Sequence, residues 1–287
     1  MTILVTGAGT LLGNTLSQKI LSKNFDLIVS FRKTFPKNLD INKDQILKLD
    51  LSKKIKFSKK IDTLIHCASA IPSYEISDKK MIDINYLGFK SLLSQAIKNN
   101  CKKVILISTM SVYGKINLKN ITENTKTKPI DAYGKSKLMM ENLLVRESRK
   151  NRLNFFILRL PAIVGFKSDY NFISKILQKI KKNQVINYCN PDLNFNNFIH
   201  VENLSQIIFK MIFKNGKKIL NIGSTKPVKL SRIINNIYRF EKKKPKTFIF
   251  ESNNPGFNIK LSNYLLKNFK VYSTSKTLKK FLEDNKK

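Results

Sequence analysis

The segment Tyr133-Gly134-Lys135-Ser136-Lys137 sets a phenol and an amine four residues apart. On a helix, residues at that spacing share a face. A free tyrosine titrates near about 10, too high for easy proton exchange at neutral pH. A neighbouring ammonium favours the phenolate and is expected to lower that value. Upstream, Ser108-Thr109-Met110-Ser111-Val112-Tyr113-Gly114 closes an apolar run. Thr109 there is placed to hold a substrate oxygen toward Tyr133. Tyr133 would take a proton as hydride leaves carbon, or give one as hydride arrives. Lys137 can also bond the ribose hydroxyls of a nicotinamide nucleotide. The catalytic candidates are therefore Thr109, Tyr133 and Lys137.

Spacing alone does not select Tyr133. The same Tyr-x-x-x-Lys pattern occurs at Tyr86/Lys90, Tyr238/Lys242 and Tyr272/Lys276 in this lysine-rich chain. Only Tyr133 follows, at a loop's distance, a strand end carrying a hydroxyl such as Thr109.

A third element precedes both. Thr6-Gly7-Ala8-Gly9-Thr10-Leu11-Leu12-Gly13 lies between the apolar strand Ile3–Val5 and a helical pattern bearing Leu12, Leu16, Ile20 and Leu21 on one face. Glycines 7, 9 and 13 permit a tight turn and close approach of backbone to a pyrophosphate. The helix start then offers free N–H groups and the positive end of the dipole. Gly7, Gly9, Thr10, Leu11, Leu12 and Gly13 are the candidate phosphate cradle. NAD binders usually carry a carboxylate at the end of the second strand. Here that position reads Ser30-Phe31-Arg32-Lys33. The missing acid and the cation Arg32 suit a 2′-phosphate, so NADP is expected, with NAD as the alternative. Asp50, ending the third strand, can accept from an adenine amino group or serve as an ordinary loop aspartate.

The elements that must position these residues alternate. Strands are expected at Leu27–Phe31, Ile46–Leu49, Asp62–Cys67, Val104–Ile107 and Phe155–Leu160. Helices are expected at Met81–Ile97 and Tyr133–Val145. Such alternation argues a parallel sheet covered on both faces. After Gly165 the rhythm loosens. Helices are expected at Phe172–Ile180, Leu204–Phe213, Leu230–Phe240 and Ser275–Leu282, and strands at Val185–Tyr188, Phe198–Val201 and Ile219–Ile222. No internal repeat or long linker is visible.

At 287 residues the chain can bury a sizeable core. No apolar stretch is long enough to span a bilayer, and no signal peptide is visible. Cys67, Cys101 and Cys189 show no paired spacing, which fits a reduced, cytoplasmic location. The net charge is +35. One reading is a nucleic acid or an anionic membrane as partner. The other is codon bias, because lysine far outnumbers arginine and is spread along the whole chain. That dispersal favours the second, with no specific nucleic acid and no membrane as partner. His66 and His200 are the only histidines and have no metal-ligand spacing around them. Cys67 reads as packing, since no base stands beside it in sequence.

With these parts in order, the chain resembles the extended short-chain dehydrogenase/reductases, also called the NAD-dependent epimerase/dehydratase family. The resemblance spans nearly the whole length. It rests on the glycine turn, Asp50-Leu51, Ile65-His66-Cys67-Ala68, and Asn85 followed by Gly88. It continues through Ser108–Gly114, Tyr133–Lys137, Arg159–Gly165, Phe198–Asn203 and Asn221-Ile222-Gly223. It implies an α/β fold, a doubly wound parallel Rossmann sheet with a small C-terminal substrate-binding lobe. Residues 1–165 would form the dinucleotide-binding domain, with the sheet completed by 196–223. Residues 166–195 and 224–287 would form the lobe. It implies that Thr109, Tyr133 and Lys137 are the catalytic triad, and that Leu51, Ala68 and Pro161 line the cofactor with Arg32 and Asp50. It also implies a nucleotide-linked sugar as substrate. A homodimer would form through the helices at Met81–Ile97 and Tyr133–Val145.

Three departures qualify the substrate. Met110-Ser111 follows Thr109 where dehydratases carry Asp-Glu, which disfavours 4,6-dehydration. Asn196-Asn197 and Asn253-Asn254 stand where many members carry arginines that grip a diphosphate. Lysine does not replace a planar bidentate grip. The leading expectation is an NADPH-dependent reductase of a nucleotide-linked keto sugar. The alternative is a nucleotide-sugar 4-epimerase holding NAD tightly. A third reading is a non-catalytic dinucleotide-binding or RNA-associated protein on the same fold, against which the intact Thr109, Tyr133 and Lys137 argue.

Overall fold

The computed structural model describes residues 1–287 except 33, 34, 36, 37, 74, 254 and 287. In chain order the elements are β1 (Thr2–Thr6), α1 (Leu11–Leu21), β2 (Asp26–Phe31), β3 (Ile46–Lys48), β4 (Thr63–His66), α2 (Asp78–Ile82), α3 (Gly88–Lys98) and β5 (Lys103–Thr109). Then follow β6 (Asn120–Ile121), α4 (Ala132–Lys150), β7 (Asn154–Leu160), β8 (Ala162–Val164), α5 (Phe172–Lys181), β9 (Ile186–Tyr188), β10 (Asn194–Phe195) and β11 (Phe198–His200). The chain ends with α6 (Val201–Ile212), β12 (Lys217–Asn221), β13 (Val228–Lys229), α7 (Leu230–Phe240), β14 (Thr247–Ile249), β15 (Asn258–Ile259), α8 (Asn263–Asn268) and α9 (Thr274–Asp284).

Two units divide the chain. The first holds Met1–Lys115, Lys126–Arg159 and Ser205–Leu220. Its seven-stranded sheet has the order β12-β7-β5-β4-β1-β2-β3. The pairings of β1 with β2 and β4, of β2 with β3, and of β4 with β5 are parallel. The chain builds outward from β1 through β2 to β3. It then restarts at β4 on the other side of β1 and builds through β5 and β7 to β12. The order therefore reverses between β1 and β4, which makes the doubly wound α/β arrangement with a crevice at that point. The strands are apolar runs because a parallel sheet is buried on both faces. Leu4, Leu64, Val104 and Leu106 of the strands pack with Phe89, Leu92 and Leu93 of α3 and with Met140, Leu143 and Leu144 of α4.

The helix expected over Met81–Ile97 is interrupted. Asp83–Leu87 forms a π-helical turn between α2 and α3. Asn85 at its centre is fully buried and serves a loop rather than the helix, as described below. Such a bulge has no signature in hydrophobic periodicity, and bulges of this kind are frequent at functional sites. Strand Phe198–Val201 stops at His200, and α6 begins directly at Val201.

The second unit holds Ile116–Thr125, Leu160–Leu204 and Asn221–Lys287. Its core joins Ile173, Ile176 and Ile180 of α5 with Ile233, Ile234 and Ile237 of α7 and Phe281 of α9. Four two-stranded pairs tie distant segments: β8 with β11, β6 with β15, β9 with β14 and β10 with β13. Within 196–223, β12 joins the main sheet of the first unit, whereas β11 pairs with β8. Among the described residues, no helix is long and apolar enough to cross a membrane.

Asn196 shows how this unit is held. Its Nδ2 donates to the Ser224 and Ile259 carbonyls at 3.0 and 2.8 Å, and its Oδ1 accepts from the Ile259 N–H at 2.8 Å. Both amide hydrogens are spent on backbone, so this side chain has no donor left for a ligand. Asn196→Ala is expected to cost about 1–3 kcal/mol, because buried backbone groups lose their partners. Urea unfolding followed by circular dichroism measures it.

Candidate active site

The glycine turn closes as its composition demands. Gly7 has φ +72°, and a Cβ there would lie 2.8 Å from the Ala68 nitrogen. A Cβ on Gly13 would lie 2.2 Å from the Gly7 carbonyl oxygen. Gly13 must be glycine for α1 to start so close to the end of β1, and Gly7 for the turn to pack on the chain that follows β4. Thr10 caps the helix: its hydroxyl donates to the Gly7 carbonyl at 2.8 Å and accepts from the Gly13 N–H at 3.1 Å. The first turn of α1 then presents the N–H groups of Leu11 and Leu12. The Leu12 side chain itself is core, as is Gly13. Free first-turn N–H groups beside a turn without side chains are the donor set a pyrophosphate requires.

A cleft of about 420 Å³ opens at the switch between β1 and β4, lined in part by Gly7, Gly9, Thr10, Arg32, Asp50, Leu51 and Ala68. Ala68 donates its N–H to the Thr6 hydroxyl at 3.4 Å, and that hydroxyl meets His66 Nδ1 at 2.8 Å. The end of β2 presents exposed Arg32 to the cleft. The adjoining Lys33 lies outside the described residues. One carboxylate oxygen of Asp50 accepts from the Ser52 N–H at 2.9 Å and from its hydroxyl at 2.7 Å. Those bonds hold its carboxyl below the ordinary range, with a smaller contribution from Arg32. Asp50 still lines the cleft.

The loop after β4 is clamped by Asn85. Its Oδ1 accepts from the Ala70 N–H at 2.7 Å and the Ser69 hydroxyl at 3.1 Å. Its Nδ2 donates to the Ala70 carbonyl at 3.1 Å and to Ser136 at 3.0 Å. One buried amide thus joins the cleft wall to the helix carrying Tyr133.

That helix, α4, is capped by Asp131, which accepts from the Gly134 N–H at 2.6 Å. Gly134 lets the helix start press on the Met110–Tyr113 turn that follows β5: a Cβ there would lie 2.5 Å from the Ser111 carbonyl oxygen. Thr109 caps the short 3-10 turn Met110–Tyr113. Its hydroxyl accepts from the Ser111 N–H at 3.2 Å and reaches the Ser111 hydroxyl at 3.3 Å. The Tyr133 ring packs against Ala70, Met81 and Ile84. Lys137 lies one turn on, fully buried, with Nζ 5.6 Å from the centre of the Tyr133 ring. Nζ donates to the Ile107 carbonyl at 3.0 Å.

The electrostatics correct one expectation. Burial raises the Tyr133 pKa above its ordinary value, opposed by Ser69 and helped by Asp131. Lys137 does not pull it down here. Burial instead lowers Lys137 to about 8, against upward pulls from Cys67 and Glu141. In the free protein the phenol is therefore protonated at neutral pH, and the amine titrates near about 8. His66 is pushed down to about 3, first by burial and then by Lys137, so it is neutral. Its ring stacks on Phe89 at 5.0 Å. The Cys67 thiol is pushed up to about 12 by burial and is no nucleophile. Among the described residues, no group of His, Cys, Asp and Glu is arranged to hold a metal ion. Pro161 lies in the second unit, half-buried between β7 and β8.

Sequence reading missed Glu141. It is buried on α4, one turn past Lys137. It accepts from the Ser108 hydroxyl and pairs with buried Arg159, whose Nη2 lies 2.7 Å away. Arg159 also donates to the Tyr113 hydroxyl at 2.9 Å. The recurrence of Tyr133, Lys137 and Glu141 every fourth residue was the available signal. Glu141→Ala would strand a buried guanidinium, and a loss of about 3–5 kcal/mol is expected. Thermal unfolding reads it directly.

The comparisons agree with this architecture. A protein of Methanocaldococcus jannaschii, provisionally named as a UDP-glucose 4-epimerase, is 28% identical over 250 residues, or 82% of this chain and 81% of that protein. The UDP-glucose 4-epimerase of Lactobacillus helveticus is 28% identical over 177 residues, 59% of this chain and 54% of that protein. The crystal structure of a Bacillus cereus UDP-glucuronic acid 4-epimerase in complex with NAD superposes with a TM-score of 0.81. It covers 100% of this chain and 97% of its own at 21% identity, a likeness of fold. The family model for the NAD dependent epimerase/dehydratase family matches residues 3–223, and the chain belongs to that family.

Proposed function

We propose that this protein is a nucleotide-sugar 4-epimerase working with NAD. The observation that carries the reading is the pair of half-buried Tyr133 and fully buried Lys137 on a helix pressed, through Gly134, onto the turn that follows Thr109. The named relatives favour epimerisation over the reductase that the missing carboxylate and Arg32 suggested. The Gly7/Gly13 cradle and the Ala68 wall would hold the dinucleotide, which when bound supplies a reversible hydride acceptor.

The chain's own residues would manage the proton and the orientation. Thr109 and Ser111 hydrogen-bond the sugar oxygen. Acting as the phenolate, Tyr133 removes the proton from the 4-hydroxyl as it is oxidised, is a phenol while the sugar is a ketone, and returns that proton to the same oxygen after the sugar presents its other face. Lys137, charged below about pH 8, stabilises the phenolate that takes the proton in the first transfer and is regenerated by the second.

A second reading, an NADPH-dependent reductase of a nucleotide-linked keto sugar, is favoured by one feature. Exposed Arg32 faces the cleft where a carboxylate would bind a ribose 2′-hydroxyl. Denaturing the purified protein and identifying the released nucleotide separates the two. NAD, with conversion of UDP-glucose to its C4 epimer, is the expected result. A nucleotide-free protein that binds NADPH, and loses that preference in Arg32→Ala, would establish the reductase instead.

A further inference from the structure

We propose that Ser108 and Glu141 are positioning residues, joining the strand end that carries Thr109 to the helix that carries Tyr133 and Lys137. The inference rests on the triad assigned above and concerns what sets its geometry.

Ser108 and Thr109 are consecutive on β5, so their side chains leave opposite faces of the strand. Thr109 is half-buried at the turn, and Ser108 is buried and donates to Glu141. Glu141 stands four residues after Lys137 and eight after Tyr133, on the same face of α4. From β7, the neighbour of β5 in the sheet, Arg159 Nε reaches both carboxylate oxygens at 3.2 Å and Nη2 reaches one at 2.7 Å. Its remaining arm bonds the Tyr113 hydroxyl, which closes the turn that Thr109 opens. One carboxylate therefore ties together β5, α4, β7 and the Met110–Tyr113 turn. Every candidate reacting residue hangs from an element in that knot.

Apolar packing alone would hold α4 against the sheet but would leave its rotation and slide weakly specified. Directional hydrogen bonds remove that freedom. A buried ion pair is poor evidence of stability for its own sake, since apolar residues of similar volume often do as well. Its position directly behind the triad points to geometry. Glu141 also sits close enough to Lys137 to raise its pKa. The carboxylate itself is almost wholly buried, so it acts through Ser108 and Lys137.

The test uses Ser108→Ala, Glu141→Gln and, as reference, Lys137→Met in the full chain. Two measurements are made: kcat and KM on UDP-glucose, and lysine side-chain titration by heteronuclear NMR. A lysine titrating near about 8, absent in Lys137→Met, identifies Lys137. The proposal expects kcat to fall about tenfold in Ser108→Ala and about a hundredfold in Glu141→Gln, at unchanged KM and dinucleotide content, the scale of a misplacement near 1 Å. It expects the Lys137 titration to move to lower pH in Glu141→Gln. Wild-type kcat with an unmoved lysine, whatever the melting temperature, overturns it. If Glu141→Gln does not fold, kcat of Ser108→Ala decides alone. If the wild type does not turn over UDP-glucose, the functional reading fails and the Lys137 titration decides this proposal separately.

Discussion

Replacing Tyr133 by Phe is expected to lower kcat about 10²- to 10⁴-fold, the range of a lost general acid–base group. Dinucleotide binding and the fold should survive. The Tyr133 ring packs against Ala70, Met81 and Ile84, and phenylalanine keeps that contact. The helix start is fixed by the Asp131 cap and by Gly134 against Ser111, neither of which involves the hydroxyl. What disappears is a phenol that burial keeps protonated, beside an amine that titrates near about 8. Progress curves on UDP-glucose, run alongside thermal melts, make the separation. A variant as active as the wild type would remove Tyr133 from the chemistry. A wild type that binds a dinucleotide but turns over nothing would favour the non-catalytic reading.

Gly13→Ala should act on binding and stability together. The new Cβ would lie 2.2 Å from the Gly7 oxygen and 2.8 Å from the Gly7 carbonyl carbon, both backbone atoms that cannot rotate away. Relief requires α1 to retreat from the turn, breaking the Thr10 cap and withdrawing the first-turn N–H groups. Overpacking of this kind costs about 1–3 kcal/mol. That corresponds to a fall in Tm of roughly 2–4 °C for each kcal/mol in a unit of this size. Nucleotide content of the purified variant should drop well below that of the wild type. Retained nucleotide at full occupancy would show that the pyrophosphate is held elsewhere.

Much of the first unit was legible in the chain. Ile3–Val5, Leu27–Phe31 and Phe155–Leu160 are short β-branched and apolar runs that a doubly buried parallel sheet requires. The 3.6-residue period placed α1 and α7 close to their observed ends and α4 at its start, though α4 runs on to Lys150, five residues past the expected end. The glycine spacing pointed to the turn, and Tyr133–Lys137 pointed to one helix face. The absent carboxylate after β2 and Arg32 pointed to a reductase, whereas the relatives favour the epimerase that was its alternative.

What only tertiary structure decided has a common cause. The strands Asn120–Ile121, Ala162–Val164 and Asn258–Ile259 are two or three residues long, too short for any period, and exist because distant partners supply their hydrogen bonds. Asn196 reads in sequence as a missing arginine; in the fold it is a buried clamp on Ser224 and Ile259. The π-helical turn at Asn85 follows a side chain spent on Ala70 and Ser136. Tyr133 and Lys137 were found by local spacing, but their protonation was misjudged from it. Local charge predicted a lowered phenol, whereas desolvation by the surrounding core raises Tyr133 and lowers Lys137. Sequence determined which groups are present and which face each occupies, because helix and strand periods are local. Burial and the Ser108–Glu141–Arg159 connection depend on residues up to fifty positions apart, and only the folded chain brings them together.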